Sequence, residues 1–281
     1  MFDIIHKIFA PELAFLRNAI LLGILAGPIL GVIGSMVVTR RISSLAGASA
    51  HTALGGVGIA LFLQRVCGIA WCSGELGAVA GAVAAALLVG LVNIYAKERE
   101  DTVIAVVWAL GMAVGLLFLD YTPGYVDWQG YLFGNILLIS PQSIKMTILL
   151  DALVLVPAFI FYNSVLATTF DPVFSRLRGL PVNLIYLLLL VLTALTIVLL
   201  INIVGIILVI ALLTLPAASA GCFTKHLWSM MLCATLLSWI FVIGGLVASF
   251  AFNLPSGPVI VVIAGVVYLL SLCTGKFIKK N

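Results

Sequence analysis

The sequence predicts an all-α, polytopic helical membrane protein of about nine transmembrane helices, with eight as the lower count. Three observations predict it. Hydrophobic residues make up 64% of the 281 residues and charged residues only 9%, where a soluble domain carries roughly 25% charged residues. Mean hydropathy is +1.31. The apolar residues also come in runs of about 17–25, the length that crosses a bilayer as a helix; a strand barrel would show short alternating segments instead. Residues 1–281 read as a single transmembrane domain, with no soluble domain, long linker or low-complexity tract.

The elements follow in order. Residues 1–16, interrupted by Pro11, are predicted as a short external interfacial segment. Spans are predicted near 18–39, 46–64, 75–95, 102–119, 143–163, 183–200, 203–220, 228–250 and 258–274. The first run is too long for a signal-peptide core and stops at Arg40-Arg41. The small-residue triplets Ala46-Gly47-Ala48 and Ala48-Ser49-Ala50 are therefore read as part of the membrane domain, not as a cleavage site.

Between the fifth and sixth spans lies a polar patch, Asp171 to Val182, whose ends are both marked. Asp171 can cap the free N–H groups of a first turn, and Pro172 suits the first helical position. Gly179 can take the left-handed conformation that stops a helix, and Pro181 prevents a restart. Two turns carrying Arg176 and Arg178 cannot cross a bilayer, so this helix (171–181) lies on one face. Its apolar Val173, Phe174 and Leu177 fit either a docking surface for a partner or an interfacial helix resting on lipid headgroups.

Orientation follows from the basic residues. With Lys276, Lys279 and Lys280 in the cytoplasm, nine spans place Arg40, Arg41, Lys97, Arg99, Arg176, Arg178 and Lys225 there too. Ten of the 14 Lys and Arg then fall inside, while Lys7, Arg17, Arg65 and Lys145 fall outside. The patch is cytoplasmic and the N-terminus external. The net charge of +4 expresses this bias, not nucleic-acid binding.

Polar groups within spans are costly and mark candidate function. His51 stands among small residues in the second span; it can offer an imidazole to a borderline metal or serve as a hydrogen-bonded packing residue. Gly55, Gly56 and Gly58 on the same span can line a close helix crossing. Asn93, Asn135, Thr193, Thr196 and Asn202 are expected to bond backbone carbonyls. None of Glu75, Asp101, Asp120, Asp127 or Asp151 is placed deep in a span. Cys67 and Cys72 can pair in an oxidising compartment. Cys222 and His226 have helical i, i+4 spacing, yet two ligands do not complete a zinc site; Cys233 and Cys273 read as packing residues. The chain lacks a G-x-x-x-x-G-K-[ST] phosphate loop, so energy must come from a separate ATPase or from an ion gradient.

Five segments together resemble a known family: RRISSLAGASAHTALGGVG, KEREDTVIAVVWALGMAVG, YLFGNILLIS, DPVFSRLRGLPV followed by VGIILVIALLTLPAASAG, and NLPSGPVIVV. They run from about residue 38 to 262 in the order of the membrane permeases of ATP-binding-cassette importers for zinc, manganese or iron, of type II architecture. The resemblance implies a homodimeric permease in the bacterial cytoplasmic (inner) membrane, two copies of a cytoplasmic ATPase that uses the ATP, and an external metal-binding protein. The divalent metal is substrate; no cofactor belongs to this chain, and the chain is not itself an enzyme. The resemblance makes Asp171, Pro172, Phe174, Arg176, Leu177, Arg178 and Gly179 the ATPase-docking helix, His51 a metal contact on the pathway and YLFGNILLIS an external partial helix. One departure stands out. The family often carries Gly-Asp-x-x-x-His-Ala, and where the Asp would align this chain has Gly47, so a carboxylate beside His51 is absent. Two other classes remain open: a gradient-driven secondary transporter, which needs intramembrane carboxylates, and a purely structural membrane subunit.

Overall fold

The computed structural model describes residues 14–96, 99–124 and 141–278. The first 13 residues of the predicted interfacial segment, the segment 131–140, Lys7, Lys97, Asp127, Asn135, Lys279 and Lys280 lie outside it. Every regular element described is a helix: α1 (Ala14–Thr39), α2 (Ser44–Arg65), α3 (Gly74–Ala96), α4 (Glu100–Tyr121), α5 (Pro141–Ile160), α6 (Tyr162–Phe170), α7 (Pro172–Leu177), α8 (Val182–Val204), α9 (Ile206–Phe223), α10 (Leu227–Phe252) and α11 (Ser256–Ile278). Among the described residues eight helices are long and apolar enough to cross a membrane, and α5 with α6 makes a ninth, bent by 60°.

Two predicted boundaries are corrected. The fifth span was expected to be continuous over 143–163, but the helix breaks at Phe161 and resumes to Phe170. The bend lies at Phe161, whose φ −92° and ψ +9° leave the helical region, one turn after Pro157. The break between the sixth and seventh spans falls at Gly205, φ +84°, not at 201–202. The surrounding run is apolar on both sides, and only a residue without Cβ adopts that backbone cheaply.

Lipid is as apolar as leucine, so helices associate by close packing rather than by hydrophobic expulsion. α2 is held this way between α3 and α4. A methyl group on Gly56 would collide with the Gly77 carbonyl oxygen of α3, and one on Gly58 with the Gly115 carbonyl oxygen of α4. Thr52 reinforces the second crossing: its hydroxyl donates to Ala48 O at 2.7 Å and to Val107 O at 3.3 Å. α1 runs antiparallel to α10, with Gly23 facing Val242, Gly27 facing Trp239 and Gly31 facing Thr235. Pro28 cannot donate to the Ile24 carbonyl one turn earlier, and the Trp239 indole N–H donates to that oxygen instead, at 2.9 Å. Gly27 leaves the space in which the indole lies.

Candidate functional site

His51 sits on α2 with its imidazole half-buried. The ring stacks on Trp108 of α4, with centroids 5.0 Å apart and planes 22° apart. Nδ1 is buried and has no hydrogen-bond partner, so only Nε2 is left to meet a cation. A ligating imidazole normally donates its other N–H to a second group that orients it. Among the described residues no such acceptor meets His51 Nδ1, so as a metal ligand it would be a weak one in this arrangement. Trp108 also covers Gly47, one turn earlier: a Cβ on Gly47 would meet the six-membered ring of the indole. The space a longer side chain at position 47 would need is thus filled by an aromatic face. Among the described residues no three His, Cys, Asp or Glu side chains gather into a metal-holding group.

Gly55 and Gly58 face α4 and Gly56 faces α3, so the three glycines hold His51 at a fixed depth between two helices. Trp108 was not singled out from the sequence; an aromatic in an apolar run carries no local sign of what it will cover. Asp151 is a correction. The sequence placed no carboxylate deep in a span, yet Asp151 is only 9% exposed and shares the buried face of α5 with Thr147, Val154 and Ala158. Glu75, Asp101 and Asp120 are exposed as expected. The hydroxyls of Thr193 and Thr196 donate to the carbonyls of Leu189 and Leu192. Asn202 lies near the α8–α9 break, at the end of α8. Cys67 and Cys72 are free thiols. Cys222 and His226 do not share a helix face, because α9 ends at Phe223 and His226 stands just before α10.

The second candidate region is α7. The Asp171 carboxylate accepts from the Phe174 N–H at 2.9 Å, and Pro172 opens the helix. Gly179 has φ +80°, and the Leu180 N–H reaches back to Ser175 O at 3.0 Å. Local chemistry therefore fixes both ends of a six-residue helix that is too short to persist on propensity alone. Leu177 is 83% and Phe174 50% exposed. The Arg178 guanidinium lies 4.8 Å from the centre of the Phe174 ring, and Arg176 donates to Asn183 Oδ1 at 3.1 Å. The result is a rigid knob with an apolar tip and a basic flank.

The sequence profile of the ABC 3 transport family matches residues 12–275. An uncharacterized membrane protein of Synechocystis is 39% identical over 94% of this chain and 92% of its own length. A manganese transport system membrane protein, MntC, of Listeria innocua is 33% identical over 92% of this chain and 90% of its own. Among solved structures, PsaBC from Streptococcus pneumoniae in complex with Fab matches with a TM-score of 0.81 and 28% identity, covering 96% of this chain and 94% of that one. An all-helical chain with nine possible crossings and a profile match along nearly its whole length belongs to the ABC 3 transport family, as one of its metal-transport membrane permeases.

Proposed function

We propose that this chain is the permease subunit of an ATP-driven importer for a divalent transition metal. It works as a homodimer in the bacterial cytoplasmic membrane, with a cytoplasmic ATP-binding-cassette ATPase and an external metal-binding protein. The observation that carries the reading is α7. Lipid headgroups do not require a short helix pinned at both ends, whereas a groove on a partner does. Phe174 and Leu177 enter that groove, and Arg176 and Arg178 flank it. Manganese is the first choice of substrate, because the Listeria relative is named for manganese transport; zinc and iron are the others. A weak contact such as His51 suits a conduit that must release its ion, with selection made by the external protein.

Asp151 is the one observation that favours a gradient-driven transporter, since a buried carboxylate inside a span is a natural proton carrier. Reconstitution separates the two readings. In proteoliposomes containing the permease, its ATPase and the binding protein, manganese(II) uptake should require ATP and be unaffected by an imposed pH gradient. Uptake driven by the pH gradient without ATP, and abolished by Asp151→Asn, would establish the other mechanism.

A further inference from the structure

A polar cluster ties together the helix ends that surround α7. α1 stops in a turn with Arg41 at φ +64°, closed by bonds from the Arg40, Arg41 and Ile42 N–H groups to the carbonyls of Met36, Val38 and Val37. From this turn Arg40 reaches across the ends of α6 and α8. Its guanidinium donates to the Thr168 carbonyl at 3.1 Å and lies 4.7 Å from the centre of the Tyr186 ring. The Tyr186 hydroxyl donates to Glu100 Oε1, on the first residue of α4. Thr168 is 1% and Tyr186 6% exposed. Burial lowers the Arg40 pKa, while Tyr186 and Glu100 act the other way, and an arginine stays charged under such a shift.

The positions of these residues along the chain give the cluster its meaning. Thr168 lies three residues before Asp171, the cap of α7. On the other side, Arg176 of α7 holds Asn183, and Asn183 lies three residues before Tyr186. Either flank of α7 therefore leads to the Arg40–Tyr186 pair. Glu100 then begins the helix that carries Trp108 eight residues on, about 12 Å along its axis at the helical rise. We infer that Arg40, Tyr186 and Glu100 form the joint that couples α7 to the His51–Trp108 wall, as positioning residues for transport rather than metal contacts. The inference rests on the docking and pathway roles proposed above. Its physical basis is that one guanidinium serves two partners and one hydroxyl a third. The network is part-buried, with Thr168 and Tyr186 inside and Arg40 and Glu100 at its edge, and a shift of any one helix end strains a bond to another.

The test uses the reconstituted permease–ATPase–binding-protein complex and manganese(II), reading ATPase association, basal ATP hydrolysis and manganese moved per ATP. Tyr186→Phe keeps the ring beneath Arg40 and removes only the hydroxyl; Glu100→Leu keeps roughly the size of its partner but removes the acceptor, which a glutamine would retain. Both variants should associate and hydrolyse ATP like the parent, while manganese per ATP falls about fivefold or more, the scale of an ordinary coupling free energy. The double variant should be no worse than either single, because one bond is lost in all three. Arg40→Lys, which keeps the charge but loses the planar fork, should uncouple in the same way if either of the others folds poorly. A parental ratio in the single variants overturns the joint. So does an additive loss in the double variant, or a lowered melting temperature with the ratio unchanged. Failure of the parent complex to show ATP-dependent uptake would instead overturn the proposed function.

Discussion

Gly47, His51 and Trp108 decide how the wall of α2 can treat a cation. The indole lies against the imidazole and over the Gly47 backbone, so position 47 has no room for a second ligand. Gly47→Asp alone should lower stability by about 1–3 kcal/mol, the usual cost of overpacking, and bind no additional metal. Combined with Trp108→Ala, the same carboxylate gains space one turn from His51, on the same helix face. That double variant should retain manganese(II) through detergent dialysis where the parent releases it. Parental melting behaviour in the Gly47→Asp single variant would mean that the ring yields freely. His51→Ala tests the proposed contact: manganese uptake per folded complex should drop while basal ATP hydrolysis persists. If uptake only follows protein yield, His51 is a packing residue. The motif around His51 was readable in the sequence, as was the absence of a carboxylate at Gly47. The covering by Trp108 was not, because it joins residues 61 positions apart on two helices and leaves no trace in either local pattern.

Helix ends were legible where their chemistry is local and illegible where it is long-range. Asp171, Pro172 and Gly179 sit within a few residues of the groups they satisfy, and α7 carries the cap, the proline and the positive φ where those residue types suit them. Phe174→Asp or Leu177→Asp should leave the permease inserted in the membrane but abolish ATPase pull-down, since an unpaired charge would face an apolar groove. Normal association in both variants would mean that α7 only rests on lipid. Pro28 shows the opposite case. It is visible in the sequence as a helix flaw, but the Trp239 indole that serves the Ile24 carbonyl in its place is 215 residues from Ile24. Trp239→Phe should cost about 1 kcal/mol by leaving the Ile24 carbonyl unpaired in an apolar surrounding. Pro28→Ala in the same background should recover much of that loss, because the restored N–H reaches Ile24. Equal melting temperatures for the single and double variants would show that the Ile24 oxygen needs no donor.

At the scale of the whole molecule, the charge pattern proposes a sidedness and the packing shows which loops share an end. The positive-inside count uses only which loops are basic. The structure adds which loops share an end. Arg40 touches the end of α6 and the start of α8, and Tyr186 touches the start of α4. Thr39 also meets Met230 near the start of α10, at 3.6 Å. The loops carrying Arg40, Arg99, Arg178 and Lys225 thus gather at one end of the helix bundle. At the other end Arg65, the last residue of α2, donates to the Pro123 carbonyl beyond α4 at 3.1 Å. A helix that starts at the basic end finishes at this one, so the positive-inside reading makes the α2–α3 loop, with the exposed Cys67, the external one. In a background lacking the other four cysteines, Cys67 should react with an impermeant thiol reagent added to intact cells. Once Cys67 too is removed, Arg178→Cys should react only after the membrane is opened. Labelling of both positions from the same face would break the alternation on which the docking role of α7 depends, because α7 could then no longer reach a cytoplasmic ATPase while the α2–α3 loop faces outward.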